Sequence, residues 1–147
     1  MNRNDRTMSS TREAINLPRP LVNQLLHCAQ ASPETEVCGL IGAKDGAPAA
    51  CHPVRNAADQ PGIRFQLDPA GQINAMRQMR EKGEELFAIF HSHPGSPAEP
   101  SPSDLSELAY PEALYLIISL NTKGVLEMRG FRLNDEKTFS EVELRLG

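Results

Sequence analysis

Residues 86–104 hold the densest chemistry in the chain. Leu86-Phe87-Ala88-Ile89-Phe90 is an apolar run of strand length, and it ends in His91-Ser92-His93. Side chains alternate faces along a strand, so the two imidazoles point to one side, which is a chelating geometry. Pro94 prevents simple continuation, a Pro- and Gly-rich stretch follows, and Asp104 arrives in the first turn of an expected helix. Two ring nitrogens and one carboxylate oxygen make three protein ligands, the complement of a catalytic zinc site whose fourth position is left for water.

Each half of this pattern also has an ordinary structural explanation. A His-x-His pair alone is more often structural than metal-binding. Ser101-Pro102-Ser103-Asp104 is a good capping box, with Ser at N-cap, Pro at N1 and an acid at N3. The explanations are compatible, because a capped helix start holds Asp104 in place and leaves its second oxygen for a metal. Hydrolysis at such a site also needs a base outside the metal's ligands. Glu36, at the mouth of a strand read over 37–43, and Glu34, two residues earlier on the same side of an extended chain, are the candidate acids. An acid at such a place is ordinarily a solvated surface group. Ser101 and Ser103 are candidate hydroxyl donors to a developing oxyanion, whereas Ser92 points away from both histidines and reads as structural.

The order His91-Ser92-His93, seven residues, Ser101, two more, Asp104 resembles the signature of the JAMM/MPN-domain zinc metalloproteases, a family of isopeptidases and deubiquitinase-like enzymes. Glu36-Val37-Cys38-Gly39-Leu40 matches the upstream Glu-x-Cys-Gly-Leu setting typical of the compact bacterial members. The resemblance spans residues 14–146 with no departure at a motif position. It implies Zn2+ held by His91, His93 and Asp104, Glu36 rather than Glu34 as the base, and Ser101 as the oxyanion donor. It also implies a curved mixed sheet flanked by helices, of the MPN and cytidine-deaminase-like type. The implied substrate is a ubiquitin-like protein, of the sulfur-carrier kind, cut after its C-terminal Gly-Gly. Two other classes share part of this pattern. A cupin-like metal site also follows His-x-His with a Glu, here Glu99, but Glu85 stands where its glycine is required. A non-catalytic MPN-type interaction module typically lacks a metal ligand, and this chain has all of them.

Composition narrows the remaining possibilities. With 15 Lys and Arg against 19 Asp and Glu among 147 residues, the formal charge is −4, and no basic footprint for nucleic acid is present. No apolar run approaches a membrane span, and the N-terminus lacks a hydrophobic signal core, so a cytoplasmic protein is expected. Cys28, Cys38 and Cys51 are an odd number without Cys-x-x-Cys spacing and read as reduced, buried small hydrophobes.

The elements that must position these residues follow from pattern. Residues 1–12 are polar and aperiodic and read as a mobile tail, leaving 13–147 as one α/β layered domain. A short strand over 14–17 precedes a helix with apolar face Leu21, Val22, Leu25, Leu26 and Ala29. His27 lies on that helix with no partner a turn away and reads as partly exposed. The 37–43 strand pairs back through Lys44-Asp45-Gly46-Ala47 with a strand over 50–54, where His52 reads as an ordinary strand residue. A short strand is expected over 63–67, and a helix capped by Asp68-Pro69 runs to Lys82 with Ala75, Met76 and Met79 inward and Gly83 as its stop. Buried strands over 86–90 and 114–120 form the sheet centre, on either side of a short helix over 103–109. A turn at 121–124, a strand over 125–133 with Gly130 as a bulge, and an alternating last strand with Val142, Leu144 and Leu146 on one face complete the reading.

Overall fold

The computed structural model describes residues 13–106, 110–120 and 126–147; the expected tail at 1–12, the turn at 121–124 and the end of the short helix at 107–109 lie outside them. Seven strands and three helices follow in the order β1 (Ala14–Leu17), α1 (Arg19–Ala31), β2 (Cys38–Lys44), β3 (Ala47–Val54), α2 (Pro69–Glu81), β4 (Glu85–His93), α3 (Pro102–Ser106), β5 (Leu114–Ser119), β6 (Glu127–Leu133) and β7 (Phe139–Leu146). They build one curled mixed sheet, ordered β1-β7-β6-β5-β4-β2-β3. The pairs β4/β5 and β1/β7 are parallel and the rest antiparallel.

Period-two alternation with apolar residues on both faces puts β4 and β5 inside the sheet, as expected. Ala88 and Phe90 of β4, with Leu114, Leu116 and Ile118 of β5, pack under the Leu21, Val22, Leu25 and Ala29 face of α1. Ile89 and Tyr115 face the opposite layer with Ala75 and Met79 of α2. Asp45 and Gly46 both take positive φ, 53° and 81°, as a two-residue hairpin turn matching strand twist requires. Asp68 caps α2 by accepting the Gly71 N–H at 2.9 Å. Among the described residues, no helix is long and apolar enough to cross a membrane.

Three local readings are corrected. The strand expected over 63–67 does not form; only Leu67 bridges, to Asn56. The Asn56 side chain instead takes the Arg64 carbonyl and the Gln66 N–H, so these backbone groups need no neighbouring strand. The bulge lies at Gly42, where the pairing of β2 with both neighbours shifts, and not at Gly130. Gly130 keeps register with Leu116 and Val142, and their side chains crowd it. In β7 the alternation holds through Val142 and Leu144, but Leu146 is exposed at the strand's end.

Candidate active site

The strand carrying the histidines is longer than its apolar run. β4 continues through His93 because β5 pairs with it to the end, His91 beside Ile117 and His93 beside Ser119. Both imidazoles consequently lie on one face, and both are buried. Beyond the strand, the loop folds back under several ties. His93 Nδ1–H donates to the Pro97 carbonyl at 2.7 Å, Ser119 Oγ donates to the Ser96 carbonyl at 2.7 Å, and Ala98 is fully buried against Ile117 and Phe131. Glu99 points away to Arg129 at 3.3 Å and is largely exposed, so the cupin-like arrangement does not form.

Ser101 then caps α3 reciprocally. Its Oγ accepts the Asp104 N–H at 3.1 Å, and its own N–H donates to Asp104 Oδ2 at 2.8 Å. The sequence reading reserved one carboxylate oxygen for the cap and the other for a metal. In the structure Oδ2 takes the capping N–H and also faces the two histidines, since an oxygen with two lone pairs can accept the N–H and still offer the other pair.

His91 Nε2 and His93 Nε2 stand 3.1 Å apart, and each lies 3.2 Å from Asp104 Oδ2. Ligand atoms about 2.0–2.1 Å from a tetrahedral ion are spaced about 3.3–3.4 Å apart, so this nearly equilateral triangle fits one face of a zinc coordination shell. The bond from His93 Nδ1–H to Pro97 leaves Nε2 as the unprotonated nitrogen of the neutral ring, as a ligand requires. Glu36 completes the group: one donor atom from each of Glu36, His91, His93 and Asp104 lies within 4.8 Å of the others. Its Oε1 is buried with no hydrogen-bond partner, an oxygen that a water or ion would satisfy.

Electrostatics separates the roles. Burial pushes the Glu36 carboxyl up to about 7, with Asp104 adding repulsion and His93 opposing. Burial acts the same way on Asp104, but contacts with His91 and His93 and the Ser101 N–H outweigh it and hold that carboxylate well below its ordinary range. For His91, burial dominates and lowers the ring; for His93, burial is outweighed by the bonds to Asp104 and Pro97, and the ring rises. The acid with the high pKa is suited to carry a proton, and the one kept ionised is suited to ligate.

Glu36, not Glu34, enters this group, because Glu34 is exposed. The Glu36 backbone is held from outside β2, with its N–H donating to the Pro61 carbonyl at 2.7 Å and its carbonyl accepting from Asn56 Nδ2 at 2.9 Å. Ser92 is structural: its Oγ accepts the Val37 N–H at 2.9 Å and its N–H donates to the Val37 carbonyl, pinning β4 to the residue after Glu36. Ser103 Oγ lies 3.0 Å from Ser101 Oγ, so both hydroxyls stay beside the site.

Other groups fall outside it. His27 is exposed. His52 is not an ordinary strand residue: its Nε2 pairs with Glu84 Oε1 at 2.9 Å, both side chains nearly buried, a partner too distant in sequence to be seen there. Cys38 is buried and Cys28 and Cys51 half-buried, all as free thiols. Burial pushes Cys38 and Cys51 up to about 12, which makes them inert at neutral pH. A groove of about 780 Å³ between α1 and β3 reaches Glu36 but is lined by none of His91, His93 or Asp104. Asn56 and Phe65, which contact the Glu36 backbone and the His91 ring, carried no pattern that singled them out.

The sequence pattern of prokaryotic homologs of the JAB domain matches residues 18–133. A desampylase of Haloferax volcanii is 33% identical over 93 residues, covering 62% of this chain and 67% of its own. The CysO-cysteine peptidase of Mycobacterium tuberculosis is 30% identical over 117 residues, 78% of this chain and 80% of its own. The solution structure of a Desulfitobacterium hafniense protein superposes with a TM-score of 0.80 at 31% identity, over 90% of this chain and 92% of that one.

Proposed function

Because the chain belongs to the family of prokaryotic homologs of the JAB domain, we propose that it is a zinc-dependent hydrolase that cleaves the peptide or isopeptide bond after the C-terminal Gly-Gly of a ubiquitin-like, sulfur-carrier-type protein. The observation that carries this reading is the buried triangle of His91, His93 and Asp104 with the unpartnered Glu36 Oε1 beside it. The names of the relatives, a desampylase and a CysO-cysteine peptidase, support the partner class.

In this reading His91, His93 and Asp104 hold the ion, which when bound lowers the pKa of a water and polarises the substrate carbonyl. Glu36 accepts the proton of the attacking water on its carboxylate and later delivers it to the leaving amine. A buried carboxylate beside the ion and outside its three ligands is placed for both transfers. Ser101 Oγ, fixed at the start of α3, donates to the oxygen that turns negative as the carbonyl becomes tetrahedral. Gly-Gly is the tail expected where the approach to a buried site leaves no room for side chains. β3 is an edge strand that runs towards Asn56 and Glu36, and its outer backbone groups suit an extended tail added as a further strand. The protein is expected to act in the cytoplasm.

To test the function, the enzyme is incubated with a carrier bearing a short extension after Gly-Gly, with the same carrier carrying Ala for the last Gly, and with the free tail peptide. Rapid release from the first alone is expected. Equal cleavage of all three would make it a general peptidase, and cleavage of none would favour another conjugate or the non-catalytic module.

A further inference from the structure

The segment between β3 and α2, residues 55–68, has no regular structure, yet one side chain organises it around the site. Asn56 Nδ2 donates to the Glu36 carbonyl at 2.9 Å and to the Arg64 carbonyl at 3.0 Å. Asn56 Oδ1 accepts the Ala58 and Gln66 N–H groups, both at 3.0 Å. A primary amide has two donor hydrogens and two acceptor lone pairs, and all four are used. On the far side of the segment it grips residues 64 and 66, the two that flank Phe65. Pro61 in the same segment accepts the Glu36 N–H, so both backbone groups of Glu36 are held from here.

Phe65 is 5% exposed, and its ring stacks on that of His91, with centroids 4.3 Å apart and planes 20° from parallel. A ligating histidine is ordinarily oriented by a hydrogen bond from its other ring nitrogen. His93 has that bond, to Pro97; His91 does not, and its buried Nδ1 has no partner. With no hydrogen bond at Nδ1, that end of the ring is held by the aromatic face, which adds to the contacts of Nε2 with Asp104 and His93. An imidazole made electron-poor by an ion on Nε2 is drawn more strongly to such a face.

We propose that Asn56 and Phe65 are positioning residues of the hydrolytic site: Asn56 holds Glu36 and the 64–66 backbone in one register, and Phe65 sets the plane of the His91 ring in place of the missing hydrogen bond. The inference rests on the roles given above to Glu36 and His91. Neither new residue belongs to the candidate metal group, so each acts through the residue it holds.

The two halves give different signatures. Phe65→Leu keeps an apolar filler but removes the ring face, and zinc affinity, measured by chelator competition on metal-stripped protein, should fall roughly 10- to 100-fold, the range for losing an outer-shell partner. Phe65→Tyr, which keeps the ring, should restore most of it. Asn56→Asp keeps the two accepted bonds and loses both donated ones. It should lower kcat roughly tenfold or more while KM and zinc affinity move less than about threefold, the pattern of a displaced base with its metal retained. A residue that only stabilises the fold would lower the thermal midpoint and leave zinc affinity and kcat, measured well below that midpoint, unchanged; that result in both variants overturns the inference. Should Phe65→Leu fail to fold, the kcat-against-affinity split in Asn56→Asp decides. Wild-type protein that binds one zinc per chain and cleaves the carrier upholds the underlying reading whatever these variants do. Wild-type protein that binds none overturns both.

Discussion

At the scale of single residues, the two acids at 34 and 36 show how little chemistry resides in residue type alone. Both are glutamates, but one is exposed and the other is 4% exposed with an unpartnered oxygen among side chains that could hold a metal ion. Glu36→Gln should therefore keep the fold and bind zinc while losing about 10²- to 10⁴-fold in turnover, the usual contribution of a general base. Glu34→Gln should change turnover little, and exchanged phenotypes would assign the base to Glu34. Ser101 has a demonstrated structural task as the cap of α3 and a proposed catalytic one. Loss of a cap alone costs about 1 kcal/mol. Loss of an oxyanion donor costs about 10²- to 10³-fold in kcat. Turnover and thermal midpoint measured on the same Ser101→Ala protein separate the tasks, and a large loss of turnover with a small shift in midpoint is expected.

Among the elements, β2 does more than carry Glu36 at its entrance. Ser92 ties β4 to Val37, and two residues further on the backbone of Gly39 passes so close to its neighbours that a Cβ there would sit 2.5 Å from the His52 carbonyl oxygen and 2.6 Å from the Phe90 ring. The carbonyl belongs to the paired edge strand and the ring to the core under α1, so neither can swing aside. Gly39→Ala is expected to destabilise the protein by about 1–3 kcal/mol, the cost of overpacking. Thermal unfolding reads this as a lower midpoint. An unchanged midpoint would mean that β2 can shift away from β3 and β4 at no cost.

For the whole molecule, the site joins parts remote in sequence: the entrance of β2, the end of β4, the start of α3 and the 55–68 segment. An ion that binds the folded arrangement but not the unfolded chain stabilises every one of these at once. With zinc at 100 times its dissociation constant the gain is about 2.7 kcal/mol. In a domain of this size that is an increase of roughly 5–10 °C in midpoint. Calorimetry of metal-stripped protein with and without zinc should show the increase, and His91→Ala should abolish it. A shift that survives in His91→Ala would place the ion elsewhere.

The chain's own pattern was sufficient for whatever depends on neighbours a few residues apart. The apolar run ending in His-x-His is a strand, Ser101 to Asp104 is a capping box, Asp45-Gly46 is a tight turn, and Asp68-Pro69 opens a helix, because alternation, φ preferences and side-chain capping are local. The family motif likewise pointed to one group of four residues. Contacts that close over long separations were not legible. His52 finds Glu84 across 32 residues. Residues 63–67 lose their strand to one amide side chain at position 56. The bulge falls at Gly42 rather than Gly130, where side chains from two neighbouring strands pack over the glycine. In each case the competing partner is brought within hydrogen-bonding or packing distance only by the folded sheet, and it is the tertiary structure that turns two histidines and an aspartate into a 3.1–3.2 Å triangle with a buried glutamate beside it.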